Sequence, residues 1–349
     1  MYILRNKGLF RILLIFLFLA LVMTFSACSK EDSDPEKTEQ PVEKEKPTLV
    51  FADAGWDSIQ FHNYVAQLIV ENGFGYKTDT MSGSTPITVA GLIKGDIDIY
   101  MEMWTTNVAE TYYPAIDSGE VVELSTNFDD NAQGLYVPTY MIKGDSERGI
   151  APMAPELKNI MDLPKYWELF KDPEGPSKGR IFGAIPGWAV DAMLSEKLIN
   201  YGINDTYNYV SPGSDTALAT SMVKAYEKGE PWVGYYWEPT WIMGKLDMTL
   251  LEDEKYSDEL WNDGYRSEFP PVPCTVAVHK DIPEIAPDVV DFLKNYETSS
   301  ALTSEALAYM QDNEVTPLEA AKWFLQEHEE LWTKWVSAEV ADKVKTAVR

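Results

Sequence analysis

Cysteine and histidine are almost missing from this 349-residue chain, at two and three copies. So small a supply excludes a disulfide framework and the common zinc spacings. His62, His279 and His328 form no HExxH pair, no GxSxG elbow occurs, and Cys274 lies within the strand-like run CTVAVHK. No catalytic set is present, so the chain does not read as an enzyme. Basic residues are also scarce, 29 against 56 acidic ones, for a net charge of −27. Without a basic patch to neutralise phosphates, nucleic acid is not a partner, and the acidity reads as a solubility feature. Long apolar runs are lacking too. The longest, Ile12 to Met23, spans twelve residues, short of the roughly 20 needed to cross a bilayer.

That run follows Arg5, Lys7 and Arg11 and precedes Ser26 and Ala27, the pattern of a secretory signal. Its ending, FSAC, resembles the lipobox of bacterial lipoproteins, with Phe25 in place of the usual leucine. The resemblance implies cleavage after residue 27 and acylation of Cys28. Residues 29–48 contain no aromatic side chain and little that is apolar, as expected of a disordered tether. The expected placement is therefore extracytoplasmic, anchored to the cell membrane by lipid.

From Thr48 the chain alternates strand-like and helix-like stretches. TLVFADA, GYKTDTM and DIDIYMEMW read as strands, with SIQFHNYVAQLIVEN and ITVAGLIKG as helices between them. Later strands are RIFGAI, YNYVS, WVGYYW and CTVAVHK, and helices close the chain. Such alternation predicts parallel sheets covered on both faces. In open α/β sheets ligands bind beyond the carboxyl ends of the strands. Four of the eleven tryptophans fall there: Trp56, Trp104, Trp188 and Trp237. Trp323, Trp332 and Trp335 form a helical stripe expected in the core, and Trp232 begins its strand, away from any ligand.

Tryptophan faces converging on one point offer negative potential with low polarity. That suits a quaternary ammonium, whose charge is diffuse and which has no hydrogen-bond donors. A primary amine would leave its donors unsatisfied there. Asp96, Asp98 and Glu102 recur with period two, a possible acidic metal cluster on one strand face, but neither a metal nor a cofactor is expected.

The segments GDIDIYMEMWTTN, AQGLYVP, IPGWAVD and YYWEPTW, together with AGWDS, resemble the substrate-binding proteins of bacterial ABC importers for glycine betaine, proline betaine and choline. The resemblance runs from about Leu49 to Val336. It implies an α/β, two-lobed periplasmic-binding-protein type II fold, each lobe a mostly parallel sheet flanked by helices. It also implies a permease and its ATPase as partners. Position by position, Trp104, Trp188 and Trp237 match the betaine cage, and Trp56 matches a cage tryptophan of the choline branch. The backbone N–H groups of Ala189 and Val190, opening a helix, match those that hold the ligand carboxylate. Two positions depart from the family. Val108 stands where the betaine branch has a carboxylate-binding histidine, which leaves Thr105, Thr106 or Asn107 to supply that contact. Ser58 stands where the choline branch has an aspartate.

The expected organisation is a signal peptide (1–27), the lipidated cysteine and tether (28–48), lobe 1 (49–132 and 270–349) and lobe 2 (133–269). The chain would cross between lobes near AQGLYVPTYM and PVPCTVAVH. Glycine betaine is the expected ligand, with choline the alternative.

Overall fold

The computed structural model describes residues 46–243, 245–270 and 272–349. The signal segment, Cys28 and nearly all of the tether lie outside the described residues. The first half contributes strands β1 (Thr48–Asp53), β2 (Lys77–Ser82), β3 (Ile99–Trp104), β4 (Val121–Phe128) and β5 (Ala132–Pro138). The second half contributes β6 (Gly179–Phe182), β7 (Tyr207–Val210), β8 (Gly234–Glu238), β9 (Met248–Leu250) and β10 (Cys274–His279). They form two five-stranded sheets, ordered β2-β1-β3-β10-β4 and β7-β6-β8-β5-β9.

The two sheets share one plan. Three strands are parallel, with β1 beside β2 and β3 in one sheet and β6 beside β7 and β8 in the other. The fourth place is filled by an antiparallel strand, β10 in the first sheet and β5 in the second. These are the crossing strands expected from AQGLYVP and CTVAVH. Strand–helix alternation correctly indicated the parallel half of each sheet. The antiparallel half makes both sheets mixed, because a strand arriving from the other sheet runs against its neighbours. Both crossing strands begin beside a tryptophan: Cys274 pairs with Trp104, and Gln133 pairs with Trp237. The crossovers thereby bring the carboxyl ends of β3 and β8 to one cleft.

Helices α1 (Asp57–Ile69), α2 (Thr85–Lys94), α3 (Ala189–Asn200) and α4 (Asp215–Lys228) follow the parallel strands. Helices α5 (Ser300–Asp312), α6 (Pro317–Glu327) and α7 (Ala338–Val348) close the chain over the first sheet. Phe61 of α1 meets Phe324 of α6 edge-to-face at 5.2 Å, and Trp332 and Trp335 are buried beside them as expected, whereas Trp323 is half-buried and stacks on Tyr309 at 4.2 Å. Trp232 stacks on Phe182 and donates to Ser221 Oγ at 3.0 Å, a core position. Strands β3 and β10 are buried along their whole length, as expected of central strands covered on both faces. Among the described residues no helix is long and apolar enough to cross a membrane.

Candidate functional site

Each of the four strand-end tryptophans is placed by a local device. After β1 the chain turns at Gly55, whose φ of +91° lies in the left-handed region that favours glycine, and Trp56 becomes the N-cap of α1. Trp104 is the last residue of β3. Gly187, with φ of +96°, turns the chain so that Trp188 caps α3. Trp237 lies near the end of β8, two residues after Tyr235 and so on the same face. Trp188 meets Trp56 at 5.7 Å between centroids and 85°, and meets Trp237 at 5.0 Å and 86°. Two perpendicular contacts make three walls of a box, and Trp104 lines the same cavity.

The cavity is narrow, with about 430 Å³ between its lining atoms and part of that open to solvent. Ala189 and Val190 line it as well. They are the first two residues of α3, and no side chain caps that helix. Their N–H groups have no partner within the helix, which leaves two donors and the positive helix end facing the cavity. Thr85 N donates to Gly187 O at 3.0 Å, a backbone bond that ties the start of α2 to the turn before α3 across the cleft.

Two expected residues are placed elsewhere. Ser58 is buried beneath Trp56 and donates to Glu102 Oε1 at 2.9 Å. Thr105 is also buried and donates to Pro273 O at 3.0 Å, toward the approach to β10. Neither lines the cavity; Asn107 and Val108 do. Asn107 is fixed by Gln133, whose Nε2 donates to Asn107 Oδ1 at 3.2 Å, while Tyr235 OH donates to Gln133 Oε1 at 3.0 Å. Tyr235, Tyr100, Met103 and Thr85 complete the lining. For Tyr235 the signal was its period-two relation to Trp237; nothing local marks the others.

The acidic trio is dispersed. Asp98 Oδ2 accepts from Val50 N at 2.8 Å just before β3 begins, Asp96 is exposed, and Glu102 is buried within the strand. Glu102 Oε1 accepts three bonds, from Trp56 Nε1 at 2.8 Å, Trp104 Nε1 at 2.9 Å and Ser58 Oγ at 2.9 Å. Burial pushes its carboxyl up to about 7 against the opposing effect of these donors. Asp57 and Asp215, each at the start of its helix, are also raised by burial, and Asp57 helps lift Asp215 to about 7. The Cys274 thiol is buried and held well above its usual value by burial, far from thiolate chemistry.

This geometry provides an aromatic box with a buried carboxyl group behind it and two free donors at one end. Residues 47–327 match the family model "Substrate binding domain of ABC-type glycine betaine transport system". The chain belongs to that family. Its members are binding domains of transport systems, not enzymes. A similar protein is the trimethylamine N-oxide-binding protein of Pelagibacter ubique, 22% identical over 286 residues, covering 79% of this chain and 88% of that one. The fold matches an ABC-transporter choline-binding protein in complex with choline, with a TM-score of 0.69 at 20% identity, over 86% of this chain and 98% of that one. It also matches the lactococcal glycine betaine-binding domain in its closed-liganded conformation, with a TM-score of 0.66 at 19% identity, over 84% and 100% of the two chains. The two-lobed periplasmic-binding-protein fold expected from the sequence is thus the fold of the family to which the chain belongs.

Proposed function

We propose that this binding domain captures glycine betaine in the tryptophan box, between lobe 1 (49–132 with 270–349) and lobe 2 (133–269), and delivers it to a permease coupled to an ATPase. Lipid on Cys28 would hold the domain outside the cell, close to that permease. The observation that carries the reading is the box itself, with Trp188 perpendicular to both Trp56 and Trp237 and the unpaired donors of Ala189 and Val190 at its edge. Three or four cation–π contacts with methyl burial supply about 8 kcal/mol, enough for micromolar affinity. The N–H pair at the helix end would take the carboxylate. Trp56 and Trp104 come from one sheet and Trp188 and Trp237 from the other, so a ligand touching all four stabilises the closed arrangement.

A second reading is a quaternary amine without a carboxylate, choline or trimethylamine N-oxide. Apolar Val108 lines the cavity at the position of the family's carboxylate-binding histidine, which leaves the α3 end and the Asn107 amide to hold an anion. Calorimetric titration of the purified protein with glycine betaine, choline and trimethylamine N-oxide separates the readings. The tightest ligand identifies the substrate, and Trp188→Ala should weaken it about tenfold or more. A folded protein that binds none of the three refutes the quaternary-ammonium reading.

A further inference from the structure

Glu102 is the only charged residue in the strand IYMEMW, and solvent does not reach it. A lone buried carboxylate is costly unless its environment uses it. Here one oxygen, Oε1, takes all three donors, while Oε2 is buried without a partner. Two of those donors are the indole N–H groups of Trp56 and Trp104, whose rings line the cavity, whereas Glu102 does not. The carboxylate therefore sits behind two walls of the box, bonded to their edges. A charge-assisted hydrogen bond fixes each ring's orientation, and the anion shifts electron density onto the indoles, which strengthens attraction of a cation to their faces. The charge also acts on the cavity directly, through a dry interior that screens it weakly.

We propose that Glu102 is a specificity-determining residue: it positions Trp56 and Trp104, and its charge makes the box select a quaternary ammonium over an uncharged group of the same shape. The inference rests on the quaternary-ammonium reading above. A consequence is that capture is linked to a proton. A bound cation favours the carboxylate over the acid, so binding releases the proton that the empty site holds near neutrality, and affinity rises as pH rises through about 7.

The other groups near Glu102 do not imitate this behaviour. Tyr100 on its own strand, Cys274 on β10 and Tyr296 ahead of α5 couple to it, and burial holds all three above their ordinary values. On α1, burial keeps His62 neutral to about 3. Asp57, also on α1, is raised by burial, and Asp215 facing it is raised to about 7. Both are common to the wild type and to a Glu102 variant, so comparing the two removes their contribution.

The test is calorimetry with glycine betaine and its carbon isostere 3,3-dimethylbutanoate, on the wild type and Glu102→Gln, at about pH 5.5 and about pH 8. Glutamine keeps an oxygen for the three donors, removes the charge and puts an NH2 group in place of the unpartnered Oε2. The wild type should prefer betaine over the isostere, and Glu102→Gln should lose about tenfold or more of that preference. Betaine affinity should rise about tenfold between the two pH values in the wild type and change less than about threefold in the variant. An unchanged selectivity and pH profile in Glu102→Gln would overturn the proposal and leave Glu102 as packing. If the variant does not fold, titrations of an Asp57→Asn, Asp215→Asn protein near neutral pH, in two buffers of different ionisation enthalpy, decide the matter, since the other two raised carboxyls are then gone. Proton release on binding supports the proposal, and none overturns it. A folded wild type that binds no quaternary ammonium at either pH overturns the parent reading and this one with it.

Discussion

Replacing Ala189 by proline removes one donor from the box and little else. Ala189 is the first residue of α3, the helix position that proline favours because its N–H is unpaired there in any case. The residue before a proline must be extended, and Trp188 already is, at φ −81° and ψ 143°. No bond within the protein is lost, so stability should stay within about 1 kcal/mol of the wild type. A carboxylate held by that N–H loses a charge-assisted bond of about 1.5–3 kcal/mol, or about 10- to 150-fold in affinity. Choline has no carboxylate and should lose much less. The assay is parallel calorimetry with both ligands, with thermal unfolding as the control. Betaine affinity within about threefold of the wild type would refute the helix-end clamp, since the added ring can only weaken binding further. Equal losses for both ligands would indicate lost space and would equally remove Ala189 from the clamp.

Two stability predictions follow from buried ionisable groups. His62 contacts Tyr296 OH at 2.8 Å and Thr303 Oγ1 at 3.3 Å, and burial lowers its value from 6.5 to about 3. The unfolded chain takes up that proton first, so stability should fall as pH drops from about 6.5 toward 3, by up to about 1.4 kcal/mol per unit. Urea midpoints across this range should show a shallower slope in His62→Gln, and an unchanged slope would assign the acid sensitivity to other groups. Lys197 on α3 pairs with Asp253 at 2.5 Å in the interior and donates to Tyr265 O at 2.8 Å and to Ser267 O. Lys197→Met should cost about 3–5 kcal/mol by leaving a buried carboxylate short of its partner. Adding Asp253→Asn should recover part of that loss; no recovery would show the two side chains to be uncoupled.

Much of the architecture was legible before any coordinates. The alternation of strand and helix located the parallel strands, and the two crossing segments were recognised. What the pattern did not show were β4 and β9. VVELSTNF has a broken burial pattern, with half-exposed and exposed positions between buried ends, and β9 has only three residues, so neither carries a clean period-two signal. The apolar stripe at the C-terminus was readable as core, but the chain leaves the helix at His328, so Trp332 ends a second short helix and Trp335 lies beyond it.

The site divides along the same physical line. Sequence by itself determined which tryptophans end strands or open helices, and hence which rings can reach a cleft, because those positions follow from local periodicity and turns. The amides at the start of α3 were expected from the family resemblance of IPGWAVD, and a helix end without a side-chain cap is consistent with that. Only the tertiary structure decided what stands behind the rings. Trp56 and Glu102 are 46 residues apart, Asn107 and Gln133 are 26 apart, and Thr85 meets Gly187 from across the cleft. Thr105 was a reasonable candidate beside Trp104, yet its hydroxyl goes to Pro273 because the crossing strand runs there. Contacts of this kind depend on how two sheets are set against each other, and that arrangement is written in the summed burial of the whole chain rather than in any one segment of it.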